Sequence, residues 1–334
     1  MLWVVVVLVF IFLLGHYGLP EEVNPHAFQE MPAVSQLMRG AEPFRLTGQT
    51  EVGFLLVHGF EDSPYIMRNL ANLLHSEGHT VIAPLLPGHG TNIKAFERTR
   101  YEHWRQMVLD TYLRERPRFK YFFMIGFSMG GNLTLNVASR VAKHAPPTGV
   151  ITIAAPVTLN GFLNGRLMLH DPRLFFTGIL KYFVRYIPKS KGALTEKVMV
   201  PWVGYEEAYT LAPLHSFKRG VSEIKHRLYR IVVPTCLIHA QNDKTVDVEN
   251  MHYIFRRIRS PEKCAYVINL EENLSTHHVL VTHQIAREKV FHYIIKFVHD
   301  TLRGFDLKPA LFKTKGDKKS WLQRLKRVRT IFEG

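Results

Sequence analysis

The feature that most constrains the fold is a glycine-flanked serine at a predicted junction between a strand and a helix. The segment 126–131 reads G-F-S-M-G-G; it follows a short apolar run and leads into helical spacing over 129–143. A turn this sharp strains the serine backbone and needs small residues two positions to either side, because strand and helix approach closely there. Gly126 and Gly130 meet that need. We therefore predict Ser128 to be a nucleophile at a helix N-terminus, where free N–H groups favour developing negative charge.

The rest of the chain alternates short apolar runs with stretches of helical spacing. The predicted strands are 52–57, 80–85, 121–125, 150–154, 231–240 and 265–270. The predicted helices are 64–75, 101–114, 129–143, 246–258 and 281–302. Short apolar strands that alternate with amphipathic helices are typical of a mainly parallel sheet with helices on both faces. The predicted fold class is therefore α/β.

One long interval, about 157–229, breaks this alternation where a single helix would suffice. It is rich in aromatic and basic residues, such as Phe183, Trp202 and Lys181. Because the strand pattern resumes directly afterwards, we interpret the interval as a cap inserted over the C-terminal edge of the sheet, and not as a separate domain.

A serine nucleophile needs a base, and the base needs a carboxylate to orient it. In folds with this kind of turn, the Asp and then the His follow the serine along the chain. Asp243 comes just after the predicted strand 231–240, at the strand end where parallel sheets place catalytic groups. Asp247 is the competing carboxylate, although it suits the N-cap of the next helix. We predict that Asp243 orients the base.

Two adjacent histidines, His277 and His278, follow the last predicted strand. Side chains of neighbouring residues diverge, so only one of the two can face Ser128. His278 is preferred as the base because an apolar pair follows it and begins the next packed segment. His283 is interpreted as an ordinary helical residue.

An oxyanion hole needs two backbone N–H donors, one of which follows the nucleophile. Met129 would supply that donor, and the other is predicted at Phe60, in the H-G-F loop after the strand 52–57. His58 is interpreted as a brace for this loop. The sequence contains no recognised metal-binding or phosphate-binding motif, so neither a metal nor another cofactor is predicted.

These residues resemble the bacterial carboxylesterase and monoacylglycerol lipase group of the α/β-hydrolase superfamily, over about 43–302. The shared motifs are H-G-F at 58–60, P-G-H-G at 87–90, G-F-S-M-G-G at 126–131, A-P at 155–156, Asp243 and H-V at 278–279. The resemblance implies an α/β-hydrolase fold with a small mobile cap, acyl ester substrates and no cofactor. The chain departs from the group at His277, where glycine is often found, which leaves the choice between His277 and His278 open.

The predicted chemistry is acyl transfer from a carboxylic ester. His278 takes the proton of Ser128, Asp243 holds the imidazole in the required tautomer, and water then releases the acid from an acyl-enzyme. Monoacylglycerols, lysophospholipids and similar acyl esters are the predicted substrates. The same residues would serve an acyltransferase or a thioesterase. A non-enzymatic, lipid-binding hydrolase fold is the third hypothesis, and the intact set of Ser, Asp and His argues against it.

The first 19 residues depart from a globular pattern. Their opening stretch, MLWVVVVLVFIFLL, has no charged or polar side chain, and no Lys or Arg precedes Arg39. At 1.5 Å per residue, ~19 helical residues span about 28 Å, close to the ~30 Å of a hydrocarbon core. We predict an uncleaved transmembrane anchor over 1–19, in preference to a signal peptide or a buried segment, and a tether over 20–43. The predicted location is the membrane, with the side undetermined.

The C-terminal tail, 303–334, is strongly basic in a chain whose formal net charge is +15. Its apolar residues at helical spacing are Trp321, Leu325, Val328 and Phe332. A tryptophan-bearing apolar face with basic flanks predicts an amphipathic helix at a membrane lipid surface, with a solvated helix as the alternative. No nucleic-acid partner is predicted, because no recognition motif accompanies the charge. No obligate protein partner is evident.

Overall fold

The computed structural model describes residues 2–28, 36–163, 166–169, 172–189, 201–270 and 277–311. The strands are β1 (Phe44–Leu46), β2 (Val52–Val57), β3 (Thr80–Ala83), β4 (Tyr121–Phe127), β5 (Gly149–Ile153), β6 (Asn160–Leu163), β7 (Arg166–Leu169), β8 (Tyr186–Pro188), β9 (Ala208–Thr210), β10 (Thr235–Ala240) and β11 (Lys263–Ile268). The α-helices are α1 (Leu2–Tyr17), α2 (Arg68–Ser76), α3 (Ile93–Glu97), α4 (Tyr101–Glu115), α5 (Met129–Val141), α6 (Thr177–Leu180), α7 (Leu211–Glu223), α8 (Glu249–Arg257) and α9 (Arg287–Leu311).

Seven of these strands form a central sheet in the order β1-β3-β2-β4-β5-β10-β11. The edge strand β1 runs antiparallel to β3, and all the other neighbouring pairs are parallel. Because parallel strands end at the same edge of a sheet, the loops after β2, β4, β10 and β11 open on one side of the molecule. The predicted α/β-hydrolase fold with a mainly parallel sheet is confirmed.

Helices cover both faces of this sheet. Every residue of β2 is buried, and the alternation of side chains along the strand sends them to opposite faces. Phe54 and Leu56 belong to the core that α2 and α9 complete, whereas Leu55 and Val57 belong to the core under α4 and α5. A strand that is buried on both faces has a continuous apolar sequence, which is why β2 could be predicted from the sequence.

The observed elements differ from the predicted ones mainly at their ends. β10 begins at Thr235 because Pro234 precedes it and cannot donate a ladder hydrogen bond. The predicted helix over 64–75 opens as a 3-10 turn, Pro64–Met67, before α2. The short strand β1 escaped prediction because three residues, two of them only half-buried and one exposed, are too few to show a periodicity.

Between β5 and β10 the chain leaves the central sheet. It forms two antiparallel pairs, β6 with β7 and β8 with β9, together with helices α6 and α7. Most of the predicted cap insertion, about 157–229, is therefore described. Its role as a cap, and the division of the chain into anchor, tether, hydrolase domain and tail, stay predictions. The amphipathic segment with Trp321 lies outside the described residues.

The N-terminal helix α1 is shorter than the predicted anchor. It contains 16 residues, and Gly18, with φ of 68°, ends it. At 1.5 Å per residue α1 is about 24 Å long, less than the ~30 Å of a hydrocarbon core. Among the residues described, no helix combines the length and the apolar character needed to cross a membrane. The predicted transmembrane helix over 1–19 is therefore not supported.

Helix α1 packs on the cap only through its C-terminal turns. The ring of Phe12 stacks on Phe175, with 5.8 Å between centroids, and Gly178 approaches the carbonyl of Gly15 so closely that a Cβ would lie 2.6 Å from it. The rest of the helix is apolar and exposed on all sides: Trp3 and Phe10 have 81% and 62% of their surface accessible.

Candidate active site

Ser128 sits in a sharp turn between the end of β4 and the start of α5. Its backbone, with φ of 52° and ψ of −121°, lies in a region that side-chain-bearing residues rarely adopt. The two flanking glycines make the turn possible. A Cβ on Gly126 would lie 2.3 Å from the Gly130 carbonyl oxygen, and one on Gly130 would lie 2.1 Å from that of Val57. The close approach predicted for these glycines is therefore present.

The three side chains predicted from distant parts of the sequence meet at this edge of the sheet. The Ser128 hydroxyl is 2.9 Å from Nε2 of His278, and Nδ1 of His278 is 2.7 Å from Oδ2 of Asp243. A carboxylate only accepts hydrogen bonds, so the proton of neutral His278 lies on Nδ1 and Nε2 is free to accept from the serine. This arrangement can remove the serine proton as the hydroxyl attacks an acyl carbon.

Asp243 is fixed by a full set of donors. Its Oδ1 accepts the backbone N–H groups of Thr245 and Val246 at 2.8 and 2.9 Å, which leaves Oδ2 for His278. Burial alone would raise the pKa of Asp243, but the neighbouring His278 and the hydrogen bonds from His239 and His278 lower the pKa well below its ordinary value. The carboxylate therefore stays ionised and keeps its orientation.

The competing residues make other contacts. Nδ1 of His277 faces the carbonyl of Asn242 at 3.0 Å. Asp247 accepts the Glu249 N–H at 2.8 Å, but the N-cap of α8 is Val248 and not Asp247. His283 lies just before α9 and accepts two backbone N–H groups of that segment at 3.3 Å. Of the candidates weighed from the sequence, the structure brings His278 and Asp243 to Ser128.

The predicted oxyanion loop lies against the nucleophile. A Cβ on Gly59 would be only 3.4 Å from the Cβ of Ser128, so the backbone passes close by. His58 braces this loop: its Nδ1–H donates to the Gly59 carbonyl at 2.9 Å, and its Nε2 accepts the Leu86 N–H at 3.1 Å. Burial lowers the pKa of His58 to about 4, so the ring is neutral as these bonds require. That Phe60 and Met129 donate to an oxyanion stays a prediction.

A cavity of about 390 Å³ opens beside Ser128 and His278, within the size range of ligand-binding sites. Its apolar lining includes Phe60, Ile66, Leu159, Leu174, Ile187, Leu214, Phe217 and Val279. Its charged or ionisable lining includes Glu61, Asp62, Lys189, Tyr209, Lys244 and His278. An extended apolar group therefore fits the cavity, whose lining is mainly apolar and includes a few charged side chains.

Sequence reasoning missed three residues at this site. His239, on β10, has Nε2 2.7 Å from the Val246 carbonyl and 3.3 Å from Oδ2 of Asp243. Glu61 and Lys189 form a buried ion pair across the cavity wall, with 2.6 Å between Oε2 and Nζ. His239 stands four residues before Asp243 in a buried strand, which was a usable signal. Nothing in the sequence links residues 61 and 189.

The described residues contain no group of three or more His, Cys, Asp or Glu side chains arranged to hold a metal ion.

Comparison with known proteins places this geometry in a family. The model of a hydrolase family described as serine aminopeptidase, S33, matches residues 49–270. The thermostable monoacylglycerol lipase of Bacillus sp. (strain H-257) is 34% identical over 227 residues, which are 68% of this chain and 84% of the relative. The carboxylesterase of Bacillus subtilis (strain 168) is 23% identical over 66% of this chain and 84% of the relative.

The fold also matches solved structures. A structure from a report on the metagenome-derived lipolytic enzymes LipS and LipT superimposes with a TM-score of 0.67. The match covers 79% of this chain and 100% of the other at 24% identity. At that identity, the structural likeness bears on the fold alone.

Proposed function

The chain belongs to the hydrolase family described as serine aminopeptidase, S33, and it is a carboxylic ester hydrolase; we propose that Ser128, His278 and Asp243 carry out its reaction. The observation that carries this assignment is the chain of two short contacts, 2.9 Å from Ser128 to His278 and 2.7 Å from His278 to Asp243. The nucleophile, base and orienting carboxylate are within hydrogen-bond reach, which is the geometric requirement for this chemistry.

The proposed reaction proceeds in two halves. His278 Nε2 takes the Ser128 proton as the oxygen attacks the ester carbonyl, and the N–H groups of Phe60 and Met129 stabilise the tetrahedral oxyanion. His278 then gives the proton to the leaving alcohol, and an acyl-enzyme remains on Ser128. Water, deprotonated by the same imidazole, attacks the acyl carbon and releases the acid, and Ser128 recovers its proton.

We propose monoacylglycerols or similar single-chain acyl esters, such as lysophospholipids, as the substrates. The name of the Bacillus relative supports the first of these. The apolar lining, which includes Leu159 and Phe217, suits an acyl chain, and the charged side chains in the lining suit a polar head group.

We further propose that the protein works at a lipid surface, with α1 inserted into one leaflet. Apolar side chains exposed in water are unfavourable by roughly 25 cal/mol per Å². An uncharged helix whose first three turns are exposed would gain most of that free energy in lipid. Phe183 of the cap segment, with 81% of its surface exposed, is a further apolar side chain that lipid could cover. The cap side of the cavity would then face the membrane that holds the substrate.

The assignment is tested with p-nitrophenyl esters of increasing chain length and with a monoacylglycerol, on wild type and Ser128→Ala. We expect the wild type to hydrolyse these esters and the variant to lose about 10⁶-fold in kcat. A fluorophosphonate probe should label the wild type at Ser128 and leave the variant unlabelled. Ester turnover that survives the substitution would refute the covalent mechanism.

A further inference from the structure

The residue after Phe60 is tied to the cap by three separate contacts. The Glu61 carbonyl accepts the Tyr205 N–H at 2.9 Å, its Oε1 accepts the Thr210 N–H at 3.1 Å, and its Oε2 pairs with Lys189 at 2.6 Å. All three partners belong to the segment between β5 and β10. Only 2% of the Glu61 side chain and 9% of that of Lys189 are exposed, so neither charge has free access to water.

Glu61 also adopts a backbone conformation that is costly without support. Its φ of 56° lies in the left-handed region, where a residue with a long side chain is uncommon. Such strain persists only when surrounding contacts hold it, and it is enriched at functional sites. The cap contacts supply that support. Their approach is tight: a Cβ on Gly204 would lie 2.1 Å from the Glu61 carbonyl oxygen.

Lys189 is held as firmly as its partner. Its Nζ also donates to the Tyr205 carbonyl. The ammonium lies 4.7 Å from the ring centre of Tyr209 and 5.4 Å from that of Trp202, within the range of cation–π attraction. A buried charge pair with this many partners fixes a geometry, and removing one partner leaves an uncompensated charge.

These contacts bear directly on the predicted oxyanion donor. The Phe60 amide lies between two anchored carbonyls: that of Gly59, which accepts from His58, and that of Glu61, which accepts from the cap. The Phe60 ring also stacks on Phe217 of α7, with 5.0 Å between centroids. The position of the amide therefore depends on the cap as well as on the sheet.

We propose that Glu61, through its ion pair with Lys189 and its bonds to the cap, is a positioning residue that sets the oxyanion hole. This inference rests on the proposed function. We call the ion pair with Lys189 and the bonds from the Tyr205 and Thr210 N–H groups the Glu61 clamp. The clamp affects the stability of the transition state, because an oxyanion forms only after Ser128 attacks. It follows that the cap completes the catalytic site besides covering the cavity.

The test compares Glu61→Gln with Glu223→Gln. Glu223 closes α7 and pairs with Arg105 of α4 at 2.6 Å, so it also links the cap segment to the body, and it is absent from the cavity lining. We expect Glu61→Gln to lower kcat by roughly 10- to 100-fold with little change in KM, since a small displacement of an oxyanion donor has effects of this size. Glu223→Gln should leave kcat within about threefold, although both variants lower Tm.

Two further measurements separate positioning from a general structural role. A trifluoromethyl ketone adds to a serine to give an oxyanion, so Glu61→Gln should weaken its binding by the same factor as kcat/KM. The pH profile of kcat/KM should keep its apparent pKa, because His278 and Asp243 are untouched.

Lys189→Met is the second variant: it removes the ion pair and leaves the bonds from the Tyr205 and Thr210 N–H groups to Glu61 in place. The Glu61 carboxyl, whose pKa burial raises, can then take up a proton. This variant decides the matter if Glu61→Gln does not fold. We expect it to weaken analogue binding, with a pH profile like that of the wild type. Unchanged analogue binding in a folded variant, or an equal loss in Glu223→Gln, would overturn the inference. A wild type without Ser128-dependent esterase activity would instead overturn the proposed function.

Discussion

The two sides of the cavity are held in place by different means. On the sheet side, Ser128, Asp243 and His278 stand on loops that leave the carboxyl ends of parallel strands, and backbone N–H groups and carbonyls fix them. On the cap side, the positions depend on side chains that reach across the molecule. Glu61 pairs with Lys189, and Lys218 donates to the carbonyls of His16 and Leu174 at 2.7 Å.

This difference shows which parts of such a site are set by topology and which by tertiary contacts. The register of a parallel sheet leaves few choices for a loop at its edge. The topology of the sheet does not determine where a buried ion pair forms. Removing its two charges from water costs free energy, which the pair offsets only when its geometry is good. The sheet side should therefore respond to substitution mainly in kcat, and the cap side mainly in lipid contact and stability, with the Glu61 clamp as the point where the two sides meet.

The largest expected effect tests the sheet side with a matched pair of histidines. His278→Ala should lower kcat by about 10⁶-fold, because the serine and its base act as a unit, and removing either one abolishes nearly the same share of the rate. His277→Ala should stay within about tenfold of wild type, since His277 bonds the Asn242 carbonyl. Steady-state kinetics on a soluble ester measure both. Equal losses would mean that the two histidines share the role of base, and the sheet side would then be less strictly set by topology.

Much of the sheet side could be predicted from the sequence. The strands β2 and β4 are fully or almost fully buried, and their continuous apolar runs stand out. The glycines around Ser128 mark a turn with one structural solution, and Asp243 and His278 follow strand ends. The choice between His277 and His278 needed coordinates, because adjacent residues differ only in the direction of their side chains.

The cap side could not be predicted in the same way. Glu61 and Lys189 lie 128 positions apart, as the difference of their residue numbers shows, and neither belongs to a periodic pattern. The length of α1 could not be predicted either: its composition indicated lipid, but the helix ends at Tyr17, just before Gly18, whose φ of 68° is left-handed. Apolar composition in β4 and in α1 looks similar, although one is buried in protein and the other is exposed.

The second expected effect tests the cap side at α1. Phe10→Asp places a charge among exposed apolar residues and should weaken binding to vesicles by roughly 10- to 100-fold, since a charge in a lipid-embedded helix costs a few kcal/mol. Ile285→Asp is the matched control, because Ile285, at 60%, is exposed to nearly the same extent as Phe10, at 62%, but lies just before α9. Flotation with anionic phosphatidylglycerol vesicles gives the binding, and a soluble ester should show unchanged kcat. Similar vesicle binding by both variants would remove α1 from the lipid-facing surface.

The smallest expected effect, taken per step of the measurement, concerns Asp62, which lines the cavity. Burial raises the pKa of Asp62 from 3.8 to about 8, against the lowering effects of its bond from the Ser63 N–H and of the Lys189 charge. Between these pH values the native state holds a proton that the unfolded chain has lost. The free energy of unfolding contributed by this group therefore falls as pH rises, by at most about 1.4 kcal/mol per pH unit.

Asp62→Asn removes this titration but keeps the shape of the side chain. Other ionisable groups, Glu61 and Lys189 among them, are common to both proteins, so their contributions cancel in the difference. Urea unfolding at pH 5, 6, 7 and 8 should show the variant gaining stability relative to wild type at each step. A constant difference would mean that Asp62 is already ionised in the folded protein. In that case the cavity wall beside the oxyanion loop would carry a net negative charge, and the clamp would hold Phe60 in a more polar setting than its burial indicates.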